Sequence, residues 1–341
     1  MLLYDGIVFS LQRMGGISVL FSEILSRLPA DSYELMGFRE SPPASLLGAP
    51  YSYLPPRVLE RYRRARLTRS YDVFHSTYYR LPESGRAKVV TTVYDYTYER
   101  FAGVHRRVVH SWQKRKAIAG SDRIICISES TRRDLIEFSG VSSAERAVVI
   151  PLGVSDEFRH VRDIERRPQV LFVGARGRYK NFGSVVDAIS GLHGIDLVCV
   201  GGGAFTRAEL EMLERRLPRR YRASGYLSTA ALNEEYNRSL CLAYPSLYEG
   251  FGIPILEAMR AGCPVIAINR SSVPEVAGDA AELLELGHPD EIRFAIERLM
   301  DTATRDELVR RGKVQAAKFS WDHTFRSTVA VYEELTGTRL L

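Results

Sequence analysis

Short apolar runs alternate with longer amphipathic segments along the whole chain. In the first half, apolar runs predict strands over 2–9, 72–75, 88–94, 123–127 and 147–150, and a 3.6-residue period predicts helices over 16–28, 104–119 and 128–137. In the second half, the same signals predict strands over 169–174, 196–200, 221–225, 240–244, 264–268 and 281–284, and helices over 180–190, 206–216, 228–237, 253–261, 272–277, 289–301 and 303–318. Strands that alternate with helices are typical of parallel sheets covered on both faces. The pattern therefore predicts an α/β protein.

The alternation of strands and helices is interrupted once, over 151–169. There the Pro, Gly and charged residues show no hydrophobic periodicity, which indicates a linker. Two domains also suit a length of 341 residues. We therefore expect a doubly wound, Rossmann-like domain over 1–160, a second one over 161–320, and a C-terminal helix in 321–341 that returns to the first domain. Ligands of such sheets bind beyond the carboxyl ends of the strands, so two facing domains predict a cleft between them.

Composition points to an intracellular protein. No run reaches the ~18 uninterrupted apolar residues of a membrane span, and the N-terminus has an acid at Asp5 and no basic region, which argues against a secretory leader. The four cysteines lie apart in apolar runs or in a turn, as expected of small buried side chains in a reducing compartment. We therefore predict a cytoplasmic location.

The net charge of +6 is concentrated in the first half of the chain, where residues 57–69 hold six arginines and one acid. Such a run is usually the solvated face of a helix. Because Leu59, Tyr62 and Leu67 separate the arginines, an interfacial helix on an anionic membrane surface is the sharper interpretation. No nucleic-acid-binding module accompanies the charge, so a nucleic acid is not expected as a partner.

The segment "YPSLYEGFGIPILEAMRAGCPVIA" carries two glutamates, Glu249 and Glu257, around a glycine-rich helix start. Free N–H groups at a helix start attract anions, and Gly250 and Gly252 allow a ligand to approach the backbone. Acids beside an anion site suit a ligand that also has hydroxyl groups, such as a nucleotide sugar. We expect Glu257, in the first helical turn, to accept from the ribose and Glu249 to face the sugar. The alternative is that both acids merely stabilise the helix start.

Three basic residues, Arg176, Arg178 and Lys180, follow the predicted strand 169–174 and suit a diphosphate, although a solvated turn would look the same. The glycines of "LVCVGGG" lack the spacing of a dinucleotide-binding fingerprint, which leaves an NAD enzyme as a weak alternative. The chain has no D-x-D triplet to hold a magnesium ion. We therefore predict no metal and no cofactor beyond the donor substrate.

With its "GCPVIA" extension, the region resembles the E-x7-E signature of the retaining glycosyltransferases of family 4. Further segments follow in that family's order: "GGIS", "TVYDYTYERF", "ISESTRRDLI", "VIPLGVSDEF", "VGARGRYKN", "GYLS" and "SVPEVAGDAA". The resemblance implies a GT-B fold, with two Rossmann-like domains and the active site between them. It is strongest to members that build bacterial O-antigen and other surface polysaccharides, which implies a mannosyltransferase-like enzyme.

The resemblance also implies roles for individual residues. It places catalysis on Glu249, Asp95, Arg178 and Lys180. It places donor binding on Gly15, Gly16, Arg176, Arg178, Lys180, Tyr226, Leu227, Glu249, Gly250, Phe251, Gly252, Ile253 and Glu257. The family often has His-Asp where this chain has Tyr94-Asp95; His75 could substitute, or could be an ordinary, partly buried histidine.

The sequence thus predicts a metal-independent, retaining glycosyltransferase in the cytoplasm, peripheral on the membrane. It would transfer a hexose from a nucleotide sugar, GDP-mannose or a related GDP-sugar, to a lipid-linked glycan. The alternatives are a nucleotide-sugar epimerase on a similar fold and a non-catalytic regulator that binds sugar nucleotides.

Overall fold

A computed structural model describes residues 1–12 and 15–340. The chain forms two compact units: unit 1 comprises Met1–Gly153 and Trp321–Leu341, and unit 2 comprises Val154–Ser320. The first change of unit falls inside the segment 151–169 that was expected to link the domains. The last helix belongs to the same unit as the N-terminus.

The sheet of unit 1 is parallel throughout. Among the described residues its strands are β1 Leu2–Asp5, β2 Tyr33–Gly37, β3 Tyr51–Tyr53, β4 Val73–Ser76, β5 Lys88–Val93, β6 Arg123–Cys126 and β7 Ala147–Val149. They are ordered β3-β2-β1-β4-β5-β6-β7. The order therefore reverses between β1 and β4, as in doubly wound sheets. Both of these strands are buried along their whole length, as is usual in a parallel sheet that is covered on both faces.

The helices of unit 1 connect and cover these strands. The described ones are α1 Val8–Leu11, α2 Gly16–Leu25, α3 Thr97–Phe101, α4 Val104–Ala119, α5 Glu129–Ser139, α6 Val141–Ala144 and the last helix, α14 Trp321–Thr336. Ser128 caps α5 by accepting from the Thr131 N–H, and serine is one of the residue types favoured at this position. The hydroxyl of Tyr332 in α14 lies 2.7 Å from the Tyr4 hydroxyl and 2.6 Å from His75 Nδ1. α14 is therefore tied to the two central strands.

Unit 2 repeats the same plan. Its described strands are β8 Gln169–Val173, β9 Asp196–Val200, β10 Tyr221–Ala223, β11 Cys241–Tyr244, β12 Val265–Ile268 and β13 Glu282–Leu284, all parallel. They are ordered β10-β9-β8-β11-β12-β13, so the reversal lies between β8 and β11. The described helices are α7 Phe182–Ser190, α8 Arg207–Arg216, α9 Thr229–Arg238, α10 Ile253–Ala261, α11 Val273–Ala277, α12 Pro289–Arg298 and α13 Thr302–Ala316. Two Rossmann-like α/β units confirm the predicted fold class.

The N-terminal region departs from the prediction in three places. The strand expected over 2–9 ends at Asp5, because the chain turns at Gly6, whose N–H donates to the Met36 carbonyl at 2.7 Å. The helix expected over 16–28 ends at Leu25. Strands β2 and β3 were not predicted; β3 is only three residues long and forms one edge of the sheet.

The basic segment 57–69 is not a helix, contrary to both interpretations of its sequence. Only Glu60–Tyr62 forms a single 3₁₀ turn. The arginines bind backbone carbonyls of neighbouring segments: Arg64 donates to the Pro82 carbonyl at 3.1 Å and Arg66 to the Pro55 carbonyl at 2.7 Å. This segment is therefore held as an extended, arginine-clamped loop.

A buried ion network anchors that loop to the sheet. The Arg80 guanidinium, which is almost fully buried, donates to Asp5 at 2.9 Å and to Glu60 at 2.5 Å. Burial raises the pKa of Asp5 to about 6, against the lowering effect of Arg80. One cation thus joins the end of β1 to the loop.

None of the helices that the structure describes combines the length and the apolar character needed to cross a membrane.

Candidate functional site

The carboxyl ends of β8 and β11 meet where the strand order of unit 2 reverses. The two strands pair directly, with Val170 opposite Cys241. The loops that follow them are joined by a hydrogen bond of 2.7 Å from the Leu247 N–H to the Tyr179 carbonyl. Ligands of open parallel sheets bind at such a reversal, so these two loops define the candidate site of unit 2.

An ion pair links the two loops. Lys180 ends the 3₁₀ turn Arg178–Lys180 after β8, and its Nζ lies 2.5 Å from Oε1 of Glu249 in the loop after β11. Both side chains are largely buried, and the ammonium group also lies 5.2 Å from the centre of the Tyr244 ring. The structure therefore brings together two of the predicted catalytic residues, which are far apart in the sequence.

Two serines that sequence reasoning missed fix the shape of the loop around Glu249. The Glu249 N–H donates to Ser271 Oγ at 2.9 Å. The Ser272 hydroxyl donates at 3.0 Å to the Glu249 carbonyl and at 2.8 Å to the Phe251 carbonyl. The sequence "SSVPE" signals only the start of a helix, so nothing local indicates this bracing role.

The start of α10 adjoins this loop. Gly252 precedes the helix with a φ of +108°, which favours glycine, and Pro254 occupies the first turn, where a missing N–H costs nothing. Gly250 and Phe251 are buried beside it, and Ile253 is the first helical residue. The first N–H groups of a helix have no acceptor within it. The helix start thus has the local form of an anion site.

Glu257 is the fifth residue of α10, so it lies in the second turn of the helix and not in the first turn as predicted. Its carboxylate accepts a hydrogen bond of 2.8 Å from the Tyr236 hydroxyl of α9. Burial raises the pKa of Glu257 to about 7, while the bond from Tyr236 lowers it. The half-buried carboxyl group can therefore accept or release a proton near neutral pH. Tyr236 had no signal in the sequence.

The two arginines after β8 have different surroundings. Arg178 is exposed, and the described residues offer its side chain no hydrogen-bond partner. The Arg176 guanidinium instead donates to Glu209 at 3.0 Å and to carbonyls of the loop after β9, including Gly203 at 3.1 Å and Ala204 at 2.9 Å. Arg176 therefore holds the glycine loop in shape, and Arg178 is the arginine with an accessible charge.

The "GYLS" turn follows β10 at the same edge of the sheet. The Gly225 carbonyl accepts a hydrogen bond of 2.6 Å from the Gly201 N–H, which joins this turn to the glycine loop. Tyr226 is 72% exposed and Leu227 is half-buried. Both residues thus directly follow the glycine that is bonded to the loop braced by Arg176.

The remaining predicted residues lie in unit 1. Gly15 precedes α2 and Gly16 is its first residue, at the carboxyl side of β1. Asp95 follows β5 and is half-buried; its Oδ1 accepts from the Thr97 N–H at 2.8 Å, and its carbonyl accepts from Lys114 Nζ at 2.6 Å. These residues therefore follow strands of the unit 1 sheet, as the sequence predicts.

Tyr94 and His75 are both internal. Tyr94 is buried, and its hydroxyl donates to the Thr77 carbonyl at 2.8 Å. His75 is bonded through Nδ1 to Tyr332 and through Nε2 to Thr92, and burial lowers its pKa to about 3. His75 is thus a neutral core histidine with both ring nitrogens occupied.

Two family models match the chain over nearly all of its length. Residues 10–158 match the family described as "Glycosyltransferase Family 4", and residues 154–315 match "Glycosyl transferases group 1". The protein is a glycosyltransferase. The resemblance to family 4 drawn from the E-x7-E segment is thereby confirmed.

Curated relatives of this glycosyltransferase include enzymes of surface-polysaccharide synthesis. O-antigen chain mannosyltransferase B of Escherichia coli is 28% identical over 82% of this chain and 79% of the relative. Serotype-specific mannosyltransferase WbdA of Escherichia coli is 30% identical over 63% of this chain. The match spans only 29% of WbdA, so that relative has extensive regions with no counterpart here.

Solved structures support the fold of the glycosyltransferase. HepE of Anabaena, crystallised with UDP and glucose, superposes with a TM-score of 0.76 over 96% of this chain and 98% of that one, at 16% identity. The solved structures that are similar to this chain are GT-B glycosyltransferases. The predicted GT-B fold is therefore confirmed.

Proposed function

We propose that this glycosyltransferase moves a hexose from a nucleotide-diphosphate sugar to a growing, lipid-linked glycan on the cytoplasmic side of a membrane, with retention of the anomeric configuration. GDP-mannose or a related GDP-sugar is the proposed donor, because the relatives are named mannosyltransferases. The name of the O-antigen chain enzyme supports a glycan acceptor, and the family resemblance is the reason for proposing that this glycan is lipid-linked. An epimerase or a non-catalytic regulator is not favoured, since the similarity is to transferases.

The observation that carries the proposal is the Lys180–Glu249 pair at the reversal of the unit 2 sheet, beside the start of α10. A departing diphosphate gains negative charge, and preorganised positive groups that meet this charge are the largest source of rate enhancement in such reactions. Lys180, the exposed Arg178 and the N–H groups at the start of α10, from Phe251 to Ile253, would supply that positive field. No metal ion is needed in this scheme.

The remaining residues would position the donor. Glu257 would accept hydrogen bonds from the ribose hydroxyls, and Glu249 would contact the transferred sugar. Tyr226 and Leu227 would border the base. Arg176 would act indirectly, because its guanidinium shapes the glycine loop instead of reaching a ligand.

Unit 1 would serve the acceptor side. Gly15 and Gly16 would allow the loop after β1 to approach the diphosphate, and Asp95 would contact the sugar. These assignments rest on the family resemblance and on the position of each residue after a strand.

Retention is proposed to occur by front-face substitution. The bond from the anomeric carbon to the diphosphate oxygen breaks, and the acceptor oxygen forms its bond on the same face of the sugar. The acceptor hydroxyl gives its proton to the departing diphosphate oxygen, so charge and atoms balance without a protein base. Glu249 would then stabilise the positive charge that develops on the sugar.

The test combines donor binding with turnover. Thermal-shift measurements with UDP, GDP, dTDP and ADP identify the base, because a bound ligand raises the melting temperature by mass action. Arg178→Ala combined with Lys180→Ala should then reduce turnover by about 10²–10³-fold or more, as for the loss of transition-state donors in other enzymes. Arg207→Ala, at a fully exposed arginine of α8, is the matched control and should have little effect. Near-normal turnover of the double variant would refute the assignment.

A further inference from the structure

Helix α4, Val104–Ala119, is inverted in its polarity. Soluble helices normally bury their apolar stripe and expose their polar face. Here the buried face carries four polar side chains, His110, Ser111, Gln113 and Lys114, and its apolar members, Ala117 and Ile118, lie only in the last turn. The exposed face carries large apolar ones, with exposures of 64% for Val104, 59% for Val108 and 54% for Trp112, and Val109 alongside them.

Specific bonds fix this orientation. Lys114 Nζ lies 2.8 Å from Glu99 Oε2 and 4.1 Å from the centre of the Tyr96 ring. His110 stacks on Tyr98 at 4.0 Å between ring centres. Breaking a buried, charged contact is costly. The helix therefore cannot rotate to bury its valines, and the apolar row is a fixed feature of the surface.

The exposed face is also strongly basic. Val104, Val108 and Trp112 are four residues apart and form one row along the helix. Four exposed bases surround them, Arg106, Arg107, Arg115 and Lys116, and α4 contains no acidic residue. The Lys116 ammonium lies 5.0 Å from the centre of the Trp112 ring. We call these seven residues, together with Val109, the outer face of α4.

The arginine-clamped loop extends the same surface. Val58 is 80% exposed and Leu59 is 67% exposed. Leu59 has a φ of +59°, an unfavourable backbone conformation for leucine that the surrounding ion network sustains. The loop touches α4, since Gln113 Nε2 donates to the Arg61 carbonyl at 2.7 Å. We call Val58 and Leu59 the apolar tip.

A groove of about 370 Å³ lies between the two elements. Arg61 and Tyr62 line it on the loop side, and His105, Arg106 and Val109 line it on the α4 side. The groove makes the outer face and the loop continuous, with basic and aromatic side chains together.

We propose that the outer face of α4 and the apolar tip dock the protein on an anionic lipid surface. Valine and tryptophan side chains would enter the interfacial region, and the flanking bases would meet lipid phosphates. A second copy of the chain does not suit this face, because a two-fold interface would place like charges against each other. A nucleic acid would match the charge but would leave the valines and tryptophan without an apolar partner. This surface takes the place of the interfacial helix that was expected over 57–69, and it does not depend on the proposed sugar transfer.

The chain offers an internal probe of this docking. It contains two tryptophans, Trp112 on the outer face and Trp321, which is buried in unit 1. In a Trp321→Phe variant, fluorescence therefore reports Trp112 alone. We expect a blue shift of its emission with vesicles of phosphatidylcholine and phosphatidylglycerol, and quenching by brominated lipid in the same vesicles. Pure phosphatidylcholine vesicles should give neither.

Flotation of the full-length chain with these vesicles tests the two contributions separately. Arg107→Gln with Arg115→Gln should weaken binding about 30-fold, since each base near an anionic surface contributes about fivefold. Val108→Ser with Trp112→Ser should weaken it at least as strongly. The matched controls in unit 2 are Arg215→Gln with Lys313→Gln and Phe294→Ser with Val314→Ser, all exposed residues, and they should change binding less than twofold.

Several results would overturn the proposal. They are an absence of vesicle binding by the wild-type chain, an equal effect of the unit 2 controls, and an unshifted Trp112 emission on bound vesicles. Binding of duplex DNA or self-association through Trp112, in place of vesicle binding, would count equally against it. Circular dichroism of each variant verifies that a loss of binding does not come from unfolding.

Discussion

The carboxyl group of Glu257 should release a proton when the donor binds. Burial raises its pKa from 4.5 to about 7 in the free chain. A carboxylate that accepts hydrogen bonds from ribose hydroxyls must be ionised, so donor binding should lower this pKa. With a free-state pKa near 7, linkage gives a release of about 0.9 proton at pH 6, about 0.5 at pH 7 and about 0.1 at pH 8. Donor affinity should be about tenfold weaker at pH 6 than at pH 8.

Isothermal titration calorimetry in pairs of buffers with different ionisation enthalpies measures this release directly. GDP-mannose is a suitable ligand, because its diphosphate diester does not titrate in this range. Glu257→Gln should abolish both the proton release and the pH dependence of the affinity. Tyr236→Phe is an informative control: it removes the hydrogen bond that lowers the pKa, so the midpoint should move to higher pH. Equal proton release by wild type and Glu257→Gln would refute the reasoning.

The same carboxyl group should affect stability, with a defined sign. The folded-state pKa of Glu257 lies above the unfolded value, so the folded chain binds the proton more tightly. The stabilising contribution is complete below about pH 4.5 and is lost as the pH rises towards 7. Glu257→Gln cannot ionise, so it should be more stable than the wild type at pH 8. The upper limit is about 3 kcal/mol at ~1.4 kcal/mol per pH unit, reduced because the residue is only half-buried. Melting temperatures at pH 4.5 and pH 8 measure the difference.

Three further predictions concern other sites. Glu249→Ala should lower kcat by about 10²–10³-fold. Donor binding should persist, because Lys180 keeps its charge for the diphosphate. Steady-state kinetics measure kcat and calorimetry measures donor affinity, and a loss confined to donor affinity would contradict this prediction. Arg80→Met should destabilise unit 1 by about 3–5 kcal/mol, since it leaves the buried Asp5 carboxyl group without its ion partner, whereas Glu60 keeps Arg57. Urea unfolding followed by tryptophan fluorescence checks this, with the exposed Arg86→Met as control, and an equal midpoint for both variants would be the refuting result. The four cysteines, Cys126, Cys199, Cys241 and Cys263, are buried, and burial raises the pKa of each thiol. They should therefore resist a thiol reagent in the folded chain and react with it in urea. Rapid labelling of the native chain would contradict this prediction.

Elements bounded by clear local signals were predictable from the sequence. The strand over 196–200 and the helices over 104–119 and 253–261 have the predicted bounds. Each is an apolar run or a periodic segment between glycine, proline or capping residues, so local chemistry decides its ends. Strand β3, by contrast, is three residues long, and its pairing with β2 comes from the sheet and not from its own composition.

Contacts between distant residues were not predictable. Lys180 and Glu249 were each selected for the site, yet no spacing in the sequence indicates that they form an ion pair. Arg176 and Arg178 are equivalent in sequence, and only the fold turns Arg176 onto the glycine loop. In the segment 57–69 the helical interpretation failed because the arginines bind carbonyls and carboxylates of other segments, which outweighs local preference.

Helix α14 has a consequence for the synthesis of the chain. It completes unit 1 through Tyr332, which bonds to Tyr4 and His75 in the two central strands. Unit 2 is one continuous run, so a ribosome can finish it before α14 emerges, although domains made first usually fold first. Until α14 has been made, Tyr4 and His75 therefore lack the hydrogen-bond partner that Tyr332 provides. The unit that is translated first is the last to be completed.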